Sequence, residues 1–334
     1  MAALTADELL QLGRGFMESR ILLTGAELDV FTRLANRALS AQQLAGELAA
    51  DLRGLTILLD ALCGIGVLAK RDGKYRCEVE LACYLAATSE ASIVPMLRHS
   101  VAMWRRWSQL TDIVRGTARP DAGPRSPEDQ RAFIGAMDVV SRPLAAAIAV
   151  AIGPQGARAL LDIGAGPGTY TLALLHAAPE LRATVFDLPA VIEMARERFV
   201  SAGLAERVTF VAGDFYVDEL PGGHDLVLLS AIIHQNSRAQ NVELYRKVWR
   251  GLVPGGRLIV RDHVLMSDRT RPRAAAVFAV NMLVGTEGGN CYTFDEIRED
   301  LGTAGFEPVR LMQQGEQMVG LVEAFRPVGS ARTI

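Results

Sequence analysis

The chain has 334 residues, half of them hydrophobic and 22% charged, with a formal net charge of -3. That balance suits two compact domains with a sizeable core and excludes a disordered chain. It leaves no general attraction to phosphate backbones or anionic membranes, so neither nucleic acid nor a membrane is an expected partner. The four cysteines, Cys63, Cys77, Cys83 and Cys291, form no CxxC pair. Neither a zinc knuckle nor a disulfide framework is predicted, and a reducing cytosol is the expected compartment. The start, MAALTADELLQLG, lacks the basic and apolar blocks of an export signal. The longest apolar run, Leu144 to Ile152, falls short of the roughly 20 residues that span a bilayer.

In chain order, the first half reads as helices, with apolar residues at helical spacing in Leu9-Leu10-Leu12, Phe16-Met17, Ile21-Leu22-Leu23 and Leu28-Val30-Phe31-Leu34. Ser40 caps a short helix over Ala41 to Ala49, a second runs from Leu52 to Ile65, and Val67 to Cys77 forms a hairpin around Asp72-Gly73. This is a winged helix-turn-helix pattern, so a DNA-binding regulator competes as a reading. The second helix carries almost nothing to reach base edges, and residues 1 to 95 hold 9 Lys/Arg against 12 Asp/Glu. Only Lys70, Arg71, Lys74 and Arg76 at the wing are clustered basic residues. The Pro- and Gly-rich stretch Gly116 to Asp129 then separates a helix over 93–114 from one over 130–152.

From Ala159 strands alternate with helices: strands near 159–163, 183–187, 207–212, 225–230 and 257–262, then a closing pair near 307–312 and 317–325. The expected fold is α/β, a doubly wound, mainly parallel seven-stranded sheet behind an N-terminal helical domain. Ligands on such sheets bind beyond the carboxyl ends of the strands.

At the first of these ends stands LLDIGAGPGTY, a strand running into Gly164, Gly166 and Gly168 before a helix. Glycine permits positive φ and lets a ligand lie against bare backbone, and the helix start offers unpaired N–H groups. A dinucleotide fingerprint wants its third glycine where this chain has Thr169, so the GxGxG spacing fits S-adenosylmethionine better than NAD. The second strand ends at Asp187, at ribose-hydroxyl distance from the first glycine, and the third ends in Gly213-Asp214-Phe215, which offers an adenine a carboxylate and an apolar face. The fourth strand continues through Ser230 to His234, a general-base position. The fifth, GRLIVRD, ends in Asp262, which either orients that imidazole or caps a loop. His234, Asp262 and His263 could form a metal triad, but alternation places Asp262 and His263 on opposite faces, so no metal is expected.

With these residues in view, the chain resembles, over nearly its whole length, the small-molecule O-methyltransferases that include plant caffeic acid, bacterial polyketide and animal acetylserotonin enzymes. The markers are LLDIGAGPG, FDLP (Phe186 to Pro189), GDF, the histidine after strand four, PGGRLIVRD and the NMLV stretch from Asn281. The resemblance implies that residues 1–95 are a dimerisation domain, 96–155 a helical connector lining the substrate pocket and 156–334 the catalytic domain. It implies an intertwined homodimer, a small-molecule acceptor, S-adenosylmethionine as donor and S-adenosylhomocysteine as product. It assigns His234 as catalytic base and Asp262 as its orienting acid. Asp162, Gly164, Gly166, Gly168, Asp187, Leu188, Asp214, Phe215 and Ser230 would hold the cofactor; Phe133, Met137, Ser141, Met282 and Cys291 would line the acceptor pocket. Trp104, Trp107 and Met103 would extend that pocket, or serve as plain core. The chain departs from the family where Gln235-Asn236 replaces Asp-Trp and Cys291 replaces an acidic residue, so C- or N-methylation stays open beside O-methylation.

Overall fold

The computed structural model describes residues 3–120 and 127–329, and the chain divides into two compact units, Met1–Trp104 with Arg125–Val139 and Arg105–Pro124 with Val140–Ile334. The first unit begins with helices α1 (Ala6–Arg14), α2 (Phe16–Glu27) and α3 (Val30–Leu34), followed by the short strand β1 (Leu39–Ser40). Helices α4 (Ala41–Leu48) and α5 (Leu52–Gly64), the hairpin β2 (Ala69–Arg71) and β3 (Lys74–Arg76), and α6 (Val79–Leu85) follow. Helix α4 starts at the predicted cap: Ser40 Oγ accepts the Gln43 N–H at 3.2 Å, and the Gln43 side chain accepts the Ser40 N–H at 2.9 Å. The hairpin turns on Asp72 and Gly73, both at positive φ, and β1 pairs with the outer side of β3. Phe31, Leu34, Leu44, Leu59, Leu62 and Tyr75 fill the core beneath. Two of the four basic hairpin residues are taken up by acidic neighbours, Lys70 by Asp60 at 2.6 Å and Arg71 by Glu78 at 3.4 Å.

The helix predicted over 93–114 is two helices, α7 (Val94–Trp107) and α8 (Leu110–Val114). Ser108 breaks it, because its hydroxyl donates to the Arg105 carbonyl at 2.7 Å and competes with the helical ladder. The predicted loop Gly116 to Asp129 lies partly outside the described residues. Helix α9 (Pro127–Ile152) follows. By length and composition alone its stretch Asp129–Ile152 could cross a membrane, although no unbroken apolar run is long enough. Alanines between widely spaced charges raise its average apolarity, and Ala145, Ile148, Ala149 and Ile152 bury in the core of the second unit.

That unit alternates β4 (Ala159–Ile163), α10 (Thr169–Ala177), β5 (Arg182–Asp187), α11 (Pro189–Ser201), β6 (Val208–Ala212), β7 (His224–Ser230), α12 (Arg238–Gly251) and β8 (Leu252–Asp262). It closes with β9 (Val264–Leu265), α13 (Arg273–Gly285), β10 (Tyr292–Thr293), α14 (Phe294–Thr303), β11 (Val309–Gln313) and β12 (Gly320–Phe325). Seven strands form one sheet in the order β11-β12-β8-β7-β4-β5-β6. The five from β4 to β8 run parallel, and β12 runs antiparallel to both neighbours. Side chains alternate between faces: Leu161, Ile163, Val227, Leu229 and Val260 pack with α12 and α14. Leu160, Leu226, Leu228 and Ile259 pack with α9, α10 and α11. Burial on both faces explains why these strands read as continuous apolar runs. The chain winds outward from β4 through β6, then returns to the other side of β4 as β7. A crevice therefore opens at the carboxyl ends of β4 and β7, where the topology reverses.

Candidate active site

The glycine loop joins β4 to α10, and its three glycines take φ of 65, 56 and 72° at Gly164, Gly166 and Gly168. Their reasons differ. A Cβ on Gly164 would lie 2.5 Å from Ile232, and one on Gly168 2.4 Å from Phe199, so packing requires both to be bare. A Cβ on Gly166 would meet nothing within 4 Å. Here alone among the three does naked backbone face open space, with room for a ligand to lie on it. Gly168 is the N-cap of α10 in the left-handed region, which starts that helix at Thr169 rather than the predicted Thr171.

The neighbouring strand ends are tied to this loop. Gly164 N–H donates to the Phe186 carbonyl at 2.8 Å, and Gly213 N–H to the Asp187 carbonyl at 3.0 Å. Asp187 accepts from Gly166 N–H at 2.8 Å and Leu188 N–H at 2.7 Å. Burial raises its pKa, against the lowering by these two bonds. Phe215 brings a ring edge 3.6 Å from where a Cβ on Gly164 would lie, so the GDF segment and the glycine loop share one wall. Asp214 accepts the Tyr216 N–H at 2.8 Å and thereby holds its own turn. Leu188 is exposed at 45% and offers an apolar edge. Asp162 is buried beneath the loop and accepts the Thr171 hydroxyl at 2.5 Å. It pins the first turn of α10 to β4, and burial pushes its pKa up to about 7 despite that bond. An adenosyl compound is compatible with these groups: bare backbone at Gly166, the Asp187 carboxylate beside it, and aromatic and aliphatic walls.

On the other side of the switch, β7 ends at Ser230 and the chain enters a 3₁₀ turn, Ile233–Gln235. His234 in that turn places Nδ1 2.9 and 3.0 Å from the two oxygens of Asp262. Asp262 also accepts the His263 N–H at 2.7 Å, and it is 1% exposed. Burial favours its neutral form, but the adjacent His234 and His263 outweigh this and hold its pKa below the usual carboxylate value. A carboxylate accepts only, so Nδ1 carries the proton, and in the neutral form of the ring Nε2 is the nitrogen with the lone pair. Phe278 of α13 packs edge-on to His234, centroids 5.0 Å apart, and against His263 at 4.7 Å. Burial pushes His263 down to about 4, although Asp262 pulls the other way.

Two of the three departures, Asn236 and Cys291, have structural explanations. Asn236 is fully buried; its amide donates to Asn241 at 3.0 Å and its carbonyl oxygen accepts the Tyr216 hydroxyl at 2.5 Å. The Asn236 main-chain carbonyl accepts the Tyr292 hydroxyl, and Asn241 donates to the Ile233 carbonyl at 3.0 Å. This network clamps both ends of the histidine turn. Cys291 is buried against Leu265 and Ala275 in a cluster that Phe278 joins, and burial raises its thiol to about 12. Met282 is buried on α13. Ser141 of α9 stands beside the Tyr170 hydroxyl. Phe133 and Met137 are half-buried members of the first unit, where Phe133 stacks edge-on to His99 at 5.3 Å.

The Asn236 clamp, the packing of Phe278 on His234 and the hydrogen bond from Trp107 Nε1 to Asn281 at 2.9 Å follow from no periodic pattern or motif in the sequence. Among the described residues no His, Cys, Asp and Glu cluster has the geometry of a metal site.

Residues 108–307 match the O-methyltransferase domain, and residues 10–88 the O-methyltransferase dimerisation domain. The chain belongs to the O-methyltransferase family. Over 315 residues it is 32% identical to 3-hydroxy-5-methyl-1-naphthoate 3-O-methyltransferase of Streptomyces sahachiroi, covering 91% of this chain and 90% of that one. It is 31% identical to the tetracenomycin polyketide synthesis 8-O-methyl transferase of Streptomyces glaucescens, covering 91% and 92%. The structure of human N-acetylserotonin methyltransferase in complex with S-adenosylmethionine superposes with a TM-score of 0.83 at 27% identity, covering 98% of this chain and 99% of that one. Membership of this family supports transfer of the methyl group to oxygen over the C-methylating, N-methylating and non-catalytic readings. The dimerisation-domain match spans α4, α5 and the β2–β3 hairpin, in which two of the four cations are paired with acidic neighbours.

Proposed function

We propose that this O-methyltransferase moves the methyl of S-adenosylmethionine to a hydroxyl of a small aromatic or polyketide-like metabolite, with His234 as general base. The observation that carries this reading is the bidentate approach of Asp262 to His234 Nδ1 at the carboxyl edge of the sheet. When bound, S-adenosylmethionine supplies a methyl group activated by its sulfonium. The chain's own residues align the acceptor and accept one proton. When the acceptor hydroxyl attacks that methyl group, its proton would pass to His234 Nε2. The imidazolium so formed is stabilised by Asp262. Asp187, the open backbone at Gly166 and the walls from Phe215 and Leu188 would hold the adenosyl half, with Asp162 supporting the loop.

The named relatives favour a flat hydroxylated acceptor, for which Ser141 and Met282 of the second unit are the proposed lining. The first unit would pair two copies into a homodimer, and four unpaired cysteines favour a cytoplasmic home. Substitution His234→Ala should lower kcat by about 10²- to 10⁴-fold while calorimetry finds donor affinity unchanged. Unaltered turnover in that variant would remove His234 from the chemistry.

A further inference from the structure

Arg261 is the penultimate residue of β8 and is 3% exposed. It sits in register with Ser230 at the end of β7. Strand alternation sends its side chain away from Asp262 and His234, to the face that Ile259 shares with α10. There the guanidinium carbon lies 4.4 Å from the ring centroid of Tyr170, the second residue of α10. The cation is therefore placed beside the first turn that follows the glycine loop. Its Nη1 donates to Ser230 Oγ at 3.1 Å, and Nε, also buried, meets no acceptor. Among the described residues no carboxylate lies within ion-pair distance of it. A guanidinium has five N–H donors, and buried charges are normally paired because removal from water is costly. Burial lowers its pKa, although Tyr170 and Asp262 oppose this.

We infer that Arg261, steered by Ser230 and the face of Tyr170, binds the α-carboxylate of the methionine half of S-adenosylmethionine and S-adenosylhomocysteine. The claim rests on the donor assignment above. A bidentate carboxylate matches the planar fork of arginine, and the start of α10 adds its own attraction for an anion at the same place. The side chain's face favours the donor over an acidic acceptor, because the base pair His234–Asp262 stands on the opposite side of β8. Ser230 thereby positions the arginine and need not touch the ligand.

The test is calorimetry with two ligands, S-adenosylhomocysteine and 5′-methylthioadenosine, which keeps the adenosyl thioether and lacks the amino acid. Arg261→Met retains most of the stem and removes the charge. It should weaken S-adenosylhomocysteine about 10- to 100-fold and leave 5′-methylthioadenosine within twofold, with Arg261→Lys intermediate. Equal weakening of both ligands would mean a packing role and overturn the assignment, as would unchanged S-adenosylhomocysteine affinity, even if the acceptor KM rises. Should Arg261→Met not fold, the unmodified protein must still prefer S-adenosylhomocysteine over its decarboxylated analogue by a similar factor, and Arg261→Lys must shrink that preference; an undiminished preference would overturn the assignment. Absence of S-adenosylhomocysteine binding to the unmodified protein would defeat the donor reading itself, whereas binding without the ligand-selective loss defeats only Arg261.

Discussion

Single residues in this enzyme separate ligand binding from stability. Gly166 and Gly168 look alike in sequence, yet only Gly168 has a side chain, Phe199, in the space its Cβ would fill. Gly168→Ala should therefore cost about 2–4 kcal/mol of unfolding free energy, read in urea melts, from the left-handed backbone plus overpacking. Gly166→Ala should cost about 1 kcal/mol yet weaken S-adenosylhomocysteine by more than about tenfold in calorimetry, because its methyl would enter the ligand's space. His263 makes stability depend on pH. Its folded-state value of about 4 lies below the ordinary 6.5, so between these values the unfolded chain binds a proton that the fold refuses. That stabilisation is complete above pH 6.5 and is lost as pH falls toward 4. Between pH 7 and pH 5, His263→Gln should remove about 2 kcal/mol of the parent protein's loss, measured as the difference between the two proteins' denaturation curves.

At the scale of elements, the least satisfied piece is α1. It is well capped, with Thr5 and Glu8 bonding reciprocally, yet it buries nothing. Leu9, Leu10 and Leu12, with Phe16 and Met17 of α2, remain more than half exposed. A short helix is marginal without tertiary burial, and the dimerisation domain supplies the reason for this apolar stripe. Leu9→Glu with Leu12→Glu, three residues apart on one face, should raise the dimer dissociation constant at least about tenfold, seen by sedimentation equilibrium, with the sheet's circular dichroism preserved. The helices of the second unit were easier to read than their boundaries. The breaks at Ser108 and the early start of α10 at Thr169 depend on side-chain bonds and on a left-handed cap that residue spacing does not encode.

For the whole molecule, a ligand held in the proposed site would join β4, β5, β6 and β7, strands that meet at a topological reversal, and binding should stabilise them together. At 100 times its dissociation constant S-adenosylhomocysteine should add about 2.7 kcal/mol to unfolding of the second unit, seen by calorimetry as a raised Tm, and at that concentration the tenfold weaker Gly166→Ala should lose about half of the rise. Much of this architecture was legible in the chain itself. The apolar strand runs, the GxGxG spacing and acidic residues at successive strand ends are local patterns dictated by burial and by backbone geometry. The spacing from His234 to Asp262 could suggest a pair, but only the parallel pairing of β7 and β8 brought them to 2.9 Å. Folding also decided which glycine was open, tied Asn236 to Tyr216 and Asn241, and left Arg261 buried with no carboxylate partner among the described residues. Such outcomes depend on which side chains from distant segments share a space, and periodicity carries no record of that.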